Sequence, residues 1–211
     1  FLTFFRLFSL TGDKLAPLEK GLLLTSTKAN ILDNVAFLPL KSLILSLKEL
    51  GVSNAIAFRA LAVVLGLASG LLFFLILKKY HTGRIAVIGF ILFLTSSWFL
   101  QSTRLITPVA MSILSMTLFI YLALTIDKNI SWKMFIFTVF AMSILMYVPG
   151  FCFAVLGLIV WKRKTLARIL KSSGALTIIP ALLLSSFLLA PLLYSVSIGD
   201  ASILRIIGVP D

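Results

Sequence analysis

The sequence has few acidic, thiol or imidazole side chains. Its 211 residues include 7 Asp or Glu, one His and one Cys, against 19 Lys or Arg. The lone Cys152 excludes a disulfide within the chain and leaves no ligand set for a structural zinc site. The P-loop, GxSxG, HExxH and CxxC patterns are also missing. The sequence therefore gives no support for nucleotide or metal chemistry of the soluble kind.

Apolar side chains are abundant instead. They make up 60% of the chain, whereas about 45–50% is usual for a soluble domain. The mean hydropathy is +1.13. The core of a 211-residue domain cannot hide so much apolar surface, so the surplus has to face lipid. We therefore predict an all-α fold, a polytopic transmembrane helix bundle with an amphipathic helix beside it at the extracytoplasmic surface.

Charged residues in the apolar part of the chain lie almost entirely in short loops, and nearly all are basic. The loops are 78–84, 127–133 and 162–171, and Arg59 is the one charge well inside an apolar run. Lys and Arg accumulate in the cytoplasmic loops of membrane proteins, so we predict that these loops are cytoplasmic. The net charge of +12 would otherwise suggest nucleic acid. Because the basic residues flank apolar runs, we expect no nucleic-acid partner.

The number of spans depends on the segment 134–161. A helix needs about 20 apolar residues to cross a bilayer, and this segment is too long for one span, with the turn signal Pro149-Gly150 in its middle. A hairpin keeps the basic loops on either side of it on one face of the membrane. Residues 54–195 then hold six spans: 55–77, 85–103, 105–126, 134–148, 150–161 and 172–195. Residues 11–53 and 196–211 lie outside.

We expect residues 1–53 to combine the end of a truncated span with an outer loop that carries surface helices. Residues 1–10 resemble the tail of a span, and we expect the chain to be a fragment or a processed form. Pro39 is suited to start a helix, and Gly51 to end it. Residues between them recur with helical spacing, which predicts an amphipathic helix lying on the membrane. Its apolar face is Leu40, Leu43, Ile44, Leu47 and Leu50, and its polar face is Lys41, Ser42, Lys48 and Glu49.

Other local signals concern the helices on either side of this segment. A second short helix is expected around residues 19–25. Asn54 is suited to cap the first full span. Gly66 and Gly70 form a GxxxG pattern, which predicts close packing of this span against another membrane helix.

The outer face collects the candidate functional residues. Glu19 and Asp33 flank the predicted short helix and could be held at the membrane surface, so they are the candidate catalytic carboxylates. Arg59, near the outer end of the first full span, and Arg104, just outside the next, could bind a lipid phosphate. The alternatives are plain: most exposed acids are only solvated, and either arginine could simply reach the headgroups.

The order of these features is similar to that of the GT-C superfamily of membrane glycosyltransferases, of the kind related to protein O-mannosyltransferases and aminoarabinose transferases. The resemblance covers roughly residues 11–165. The segments that carry it are Pro17-Leu18-Glu19, Asn34 to Leu40, Gly51 to Arg59, Ser96-Ser97-Trp98, Ser102-Thr103-Arg104 with Pro108, and the hairpin between Trp132 and Trp161.

The resemblance implies an inverting transfer of a sugar from a polyprenyl-phosphate donor to an acceptor at the outer face. A carboxylate in the first outer loop would act as general base, and basic residues would hold the lipid phosphate. By position, Glu19 matches the second acid of the family's pair, and Leu18 stands in the place of the first. Arg59 and Arg104 match arginines of the family pattern.

The expected partners are membrane lipid and the polyprenyl-phosphate sugar, in a bacterial plasma membrane. No cofactor is expected, because the donor carries its energy in the sugar–phosphate bond. The sequence leaves the metal requirement and the oligomeric state open. Two alternative functions also stay open, a transporter or lipid flippase and a structural membrane subunit. Transporters usually show polar or broken helices near the midplane, whereas the polar residues within these spans are scattered Ser and Thr.

Overall fold

The computed structural model of the chain describes residues 17–27, 35–52, 54–125, 132–166 and 175–198, and in these ranges it is helical, with no strand. We label its helices α1 Pro17–Thr25, α2 Leu38–Glu49, α3 Ala55–Tyr80, α4 Gly83–Thr95, α5 Ser97–Arg104, α6 Pro108–Thr125, α7 Trp132–Leu145, α8 Phe151–Trp161 and α9 Ala175–Ile198. The predicted all-α class is confirmed for this part of the chain.

Two of these helices, α3 and α6, are long and apolar enough to cross a membrane. The pair α4 and α5 is bent by 58° and counts as a third if it forms one span. Helices α7 and α8 are apolar but shorter, as is the apolar stretch Ile179–Ser195 of α9, which contains Pro180 and Pro191. The structure therefore supports a membrane protein with two or three spans of sufficient length, and the count of six stays a prediction.

The bend between α4 and α5 lies inside the segment 85–103, which we predicted as one continuous span. The break is at Ser96, whose backbone is extended at φ −61° and ψ 133°. Both its hydroxyl and its amide donate to the Phe93 carbonyl oxygen, at 2.8 and 3.3 Å. Serine side chains compete in this way with the regular helix ladder. A local hydrogen bond thus ends α4 before the apolar run ends.

Helix α3 begins where the sequence predicted. The Asn54 side chain accepts a hydrogen bond from the Ile56 amide at 2.9 Å, which caps the helix N-terminus. The helix then packs against α4 and α5. A Cβ atom at Gly66 would lie 2.6 Å from Cγ2 of Thr103, and one at Gly70 would lie 2.7 Å from Cδ2 of Leu94. The close packing predicted at the two glycines is confirmed.

Aromatic rings fill the space around these helices. Leu94, Phe99 and Ile113 form a buried cluster with Phe90 and Phe93 packed against it. The ring centroids of Phe93 and Phe99 are 4.5 Å apart, a distance at which aromatic pairs add to simple area burial. This cluster joins α4, α5 and α6 and fixes the position of the α5–α6 connection.

The amphipathic helix α2 ends before Gly51, which has a positive φ of 80°. Its faces differ from our prediction. Leu40 and Ile44 are fully buried, but Lys41, which we placed on the polar face, is only 3% exposed, and Leu43 is 45% exposed; Leu50, which follows the helix, is 78% exposed. The buried stripe of α2 therefore includes Lys41 as well as Leu40 and Ile44, because other parts of the protein cover these three side chains.

The chain divides into two compact units, residues 1–31 with 40–121 and residues 32–39 with 122–211. In the second unit α7 packs against α9. Tyr147 is central there: its hydroxyl donates to the Leu188 carbonyl oxygen, and its own carbonyl accepts from the Phe37 amide at 2.8 Å. Helix α8 starts after Gly150, whose φ is 79°. The break predicted at Pro149-Gly150 is therefore confirmed.

Candidate functional site

Glu19 lies in the first turn of α1, which begins at Pro17. Proline suits the first helical position, and an acid in the first turn interacts favourably with the positive end of the helix dipole. Both features explain why a short helix starts here. They do not explain the burial of the side chain, which is 0% exposed. A buried carboxylate requires a partner.

Arg59 of α3 supplies that partner. Its Nε donates to Oε1 of Glu19 at 3.0 Å, and its Nη2 donates to Oε2 at 2.9 Å. The guanidinium is therefore bound at two points by the carboxylate, the geometry in which arginine binds carboxylates most strongly. Arg59 is itself 5% exposed. The alternative that it only extends to the headgroups does not describe this structure.

A third segment joins the pair. The Ile106 amide donates to Oε1 of Glu19 at 3.3 Å. Ile106 lies in the connection between α5 and α6, just before Thr107 and Pro108. Helix α5 ends at Arg104, and Leu105 after it has an extended backbone at φ −107° and ψ 145°, so the Ile106 N–H lies outside the helix. The carboxylate thus ties α1, α3 and the α5–α6 connection together.

This arrangement sets what Glu19 can do chemically. Both carboxylate oxygens are already engaged, Oε1 by the Arg59 Nε and the Ile106 amide and Oε2 by the Arg59 Nη2. With no exposed surface, the carboxylate does not reach an acceptor hydroxyl in this conformation. In this conformation Glu19 holds three segments in place. The carboxylate would accept a proton only after Arg59 releases it.

Arg104 occupies a different position from Arg59. It ends α5, is exposed, and lies two residues before Ile106. The structure therefore displays one cation at the surface next to the connection that contacts the buried carboxylate. A displayed guanidinium of this kind is suited to an anionic ligand, because its fork of donors matches a phosphate.

Asp33, the other predicted carboxylate, lies outside the described residues. Glu49, on α2, is described and exposed. In the described ranges no group of three His, Cys, Asp or Glu residues is placed to hold a metal ion.

Sequence reasoning missed the contribution of α2 to this region. The Lys48 ammonium donates to the carbonyl oxygens of Leu23 and Ser26, at the end of α1. A cation there donates hydrogen bonds to carbonyl oxygens that lack a helical partner, and it interacts favourably with the negative end of the helix dipole. Burial lowers the pKa of Lys48. The sequence signal for this contact was the lack of a basic residue in the last turn of α1, which leaves the carbonyl end of that helix to be capped by a cation from another segment.

Comparison with known proteins adds no relative. No protein-family model, no curated protein and no solved structure matches this chain. What the site does has to be argued from its own residues, namely the buried pair of Glu19 and Arg59, the Ile106 amide that joins it, and the exposed Arg104.

Proposed function

We propose that the chain is an integral-membrane glycosyltransferase that moves a sugar from a polyprenyl-phosphate donor to an acceptor at the extracytoplasmic face. One observation carries the proposal. Three segments that resemble glycosyltransferase segments meet at the Glu19 carboxylate. They are the segment that begins at Pro17 and contains Glu19, the segment that ends at Arg59, and the segment after Arg104 that contains Ile106.

The proposal includes the topology of six spans with cytoplasmic basic loops and an outer segment 11–53, in a bacterial plasma membrane. The two long apolar helices and the bent pair support part of it. The apolar helices α7 and α8, separated by the turn at Gly150, are consistent with a short hairpin. Both arginines then lie near the outer surface, where a lipid phosphate would be.

In the proposed reaction an acceptor hydroxyl oxygen attacks the anomeric carbon of the donor sugar. The bond between that carbon and the phosphate oxygen breaks, and its electron pair leaves with the polyprenyl phosphate. The hydroxyl proton passes to a carboxylate, which acts as general base. Attack from the side opposite the phosphate inverts the configuration. Positive charge placed at the departing phosphate lowers the barrier, because charge develops there in the transition state.

The residues take different parts in this scheme. Arg104, being exposed, would bind the donor phosphate. Glu19 and Asp33 are the two candidate bases. The buried pairing with Arg59 gives Glu19 a positioning action in the described conformation, so Glu19 would serve as base only after the pair opens. The comparison of Glu19→Gln with Asp33→Asn separates the two carboxylates.

The test is sugar transfer by membranes that contain the full chain. Radiolabelled polyprenyl-phosphate sugars are supplied one at a time, and release of polyprenyl phosphate is measured. Arg104→Gln should reduce release on the order of a hundredfold, as expected for loss of a group that stabilises transition-state charge. Arg84→Gln, an exposed arginine in the first turn of α4, is the matched control and should retain activity.

Two outcomes would reject the proposal. The first is that the wild-type chain releases no polyprenyl phosphate from any donor while retaining its fold. The second is ion-dependent uptake of a solute into proteoliposomes without any sugar transfer, which would indicate a transporter instead.

A further inference from the structure

An apolar cavity of about 330 Å³ lies between α7 and α8. Small-molecule sites in proteins span about 300–1,000 Å³, so the cavity is large enough for part of a ligand. Leu189 of α9 and Leu166, which follows α8, complete the lining. All of these elements belong to the second compact unit.

The lining is apolar even where the sequence has hydroxyls. Thr138 donates to the Met134 carbonyl oxygen at 2.8 Å, and Ser143 donates to the Val139 carbonyl oxygen at 2.9 Å. Each hydroxyl is satisfied by its own helix. The flexible side chains of Met142 and Met146 also line the cavity, and methionine adapts to irregular apolar ligands. The cavity is suited to a hydrocarbon chain.

Basic residues stand at the end of α8, beside the cavity. Lys162, Arg163 and Lys164 follow the helix directly, and the Leu166 amide donates to the Lys162 carbonyl oxygen at 2.9 Å. The same single turn therefore carries both the basic run and a residue that lines the cavity. Arg163 and Lys164 are exposed.

The end of α8 also has the composition of a membrane–water interface. Trp161 is 71% exposed, and the Lys162 ammonium lies 4.3 Å from the centre of its ring. Tryptophan and lysine at the end of an apolar helix are typical of the headgroup level. A hydrocarbon chain in the cavity would thus have its headgroup close to the basic run.

We propose that this cavity and the basic run form a binding site for an anionic phospholipid. One acyl chain lies in the cavity, and Arg163 and Lys164 contact the headgroup phosphate. Basic pockets between membrane helices bind anionic headgroups in this way. A phospholipid of zero net charge would fill the cavity equally well, but the cation of its own headgroup lies beside the same phosphate, so it would gain less from the two basic residues. This proposal does not depend on the sugar transfer proposed above.

The test uses Trp161 as the only reporter. The full chain with Trp98→Phe and Trp132→Phe is reconstituted into phosphatidylcholine bilayers, since the sequence has 3 Trp in all. Phosphatidylglycerol or phosphatidylcholine with brominated acyl chains is then titrated, and quenching of Trp161 fluorescence is measured. We expect phosphatidylglycerol to bind on the order of thirtyfold more tightly, because each of the two basic residues near the surface contributes about 1 kcal/mol.

Variants assign the two parts of the site. Arg163→Gln with Lys164→Gln should abolish the preference and keeps Lys162, which contacts the reporter. Lys78→Gln with Lys79→Gln removes the same charge from the last turn of α3 and should leave the preference unchanged.

Ser143→Leu and, separately, Thr138→Leu fill the cavity and should remove saturable quenching by both lipids. Equal quenching by the two lipids in the wild type, or a preference that survives loss of Arg163 and Lys164, would overturn the proposal. So would competition in which unbrominated polyprenyl phosphate displaces the brominated lipid more tightly than phosphatidylglycerol does.

Discussion

The Glu19 carboxylate and the Arg59 guanidinium form a buried two-point ion pair between residues 40 positions apart in the sequence. The pair joins α1, which lies outside the apolar spans, to the second turn of α3. Because the Ile106 amide also contacts the carboxylate, the α5–α6 connection is held by the same group. The charge of Arg59, well inside the apolar part of α3, is thus explained by a partner that lies far away in the sequence.

Removing either member of this pair should destabilise the protein strongly. Glu19→Met or Arg59→Met alone leaves one buried charge without its partner, which costs about 3–5 kcal/mol. The double variant removes both charges and should recover most of the lost unfolding free energy. The recovery is incomplete because the Ile106 amide loses its acceptor. Thermal unfolding of the four proteins in detergent gives the coupling energy as a double-mutant cycle.

The same four proteins also separate structure from chemistry. If Glu19 acts only by holding α1, the double variant should keep sugar transfer as well as stability. Stability without transfer would assign the carboxylate a direct part in the reaction. Additive single losses, with no recovery in the double variant, would show that the ion pair is not the dominant interaction.

Local signals in the sequence were enough to predict where several helices begin and end. Asn54 caps α3, Gly51 follows α2, and Gly150 precedes α8, as expected from the conformations those residue types favour. The glycines at positions 66 and 70 predicted close helix packing for a similarly local reason, the lack of a Cβ atom. Such signals act over a few residues and do not depend on the rest of the fold.

The contacts of the site could not be predicted in this way. The pairing of Glu19 with Arg59 depends on how α1 docks on α3, which no local pattern encodes. The burial of Lys41 depends likewise on what covers α2. The break at Ser96 was missed because a serine in a helix bends it only when its hydroxyl bonds to a backbone carbonyl, here that of Phe93.

A methyl group at Gly66 should destabilise the packing of α3 on α5. The added Cβ would lie 2.6 Å from Cγ2 of Thr103, whose side chain is fully buried and whose hydroxyl donates to the Phe99 carbonyl oxygen at 2.9 Å. Overpacking of this kind costs about 1–3 kcal/mol. The expected result is a lower unfolding temperature for Gly66→Ala, measured by differential scanning fluorimetry.

Gly157→Ala is the matched control. Gly157 lies in the middle of α8, and a Cβ atom there would meet nothing within 4 Å. Alanine has the higher helix propensity by roughly 0.5–1 kcal/mol, so this variant should be as stable as the wild type or more so. Equal effects of the two substitutions would show that α3 and α5 do not pack as closely as the structure indicates.

Replacement of Lys48 by methionine should loosen α1 specifically. The helix has 9 residues, and helices shorter than about 12–15 residues are marginal without packing. Lys48→Met removes the donor to the Leu23 and Ser26 carbonyl oxygens. Amide hydrogen exchange should therefore rise in α1 and remain unchanged in α3. Lys20→Met, at an exposed position of α1, is the control and should leave exchange unaltered.

The pH dependence of stability provides a separate check on Lys48. Burial lowers its pKa from the usual value of 10.5, so the folded protein binds this proton less tightly than the unfolded chain does. The contribution of Lys48 to stability must then rise with pH between its lowered pKa and 10.5. The difference in unfolding free energy between wild type and Lys48→Met should shift in favour of the wild type in that interval. A shift in the opposite direction would show that the ammonium gains more from its carbonyl partners than it loses by burial.

The side of the membrane on which the basic loops lie can be tested with single cysteines. Cys152→Ser gives a chain without thiols, and cysteine is then placed at three exposed positions, Leu24 in α1, His81 after α3 and Lys164 after α8. If the basic loops are cytoplasmic, as the distribution of Lys and Arg predicts, a membrane-impermeant maleimide should label Leu24→Cys in intact cells. His81→Cys and Lys164→Cys should react only after the membrane is permeabilised.

Labelling of His81→Cys but not Leu24→Cys in intact cells would reverse the orientation. Labelling of Lys164→Cys together with Leu24→Cys would contradict the six-span arrangement and indicate that α7 and α8 form one crossing, because a hairpin returns the chain to the face from which it entered.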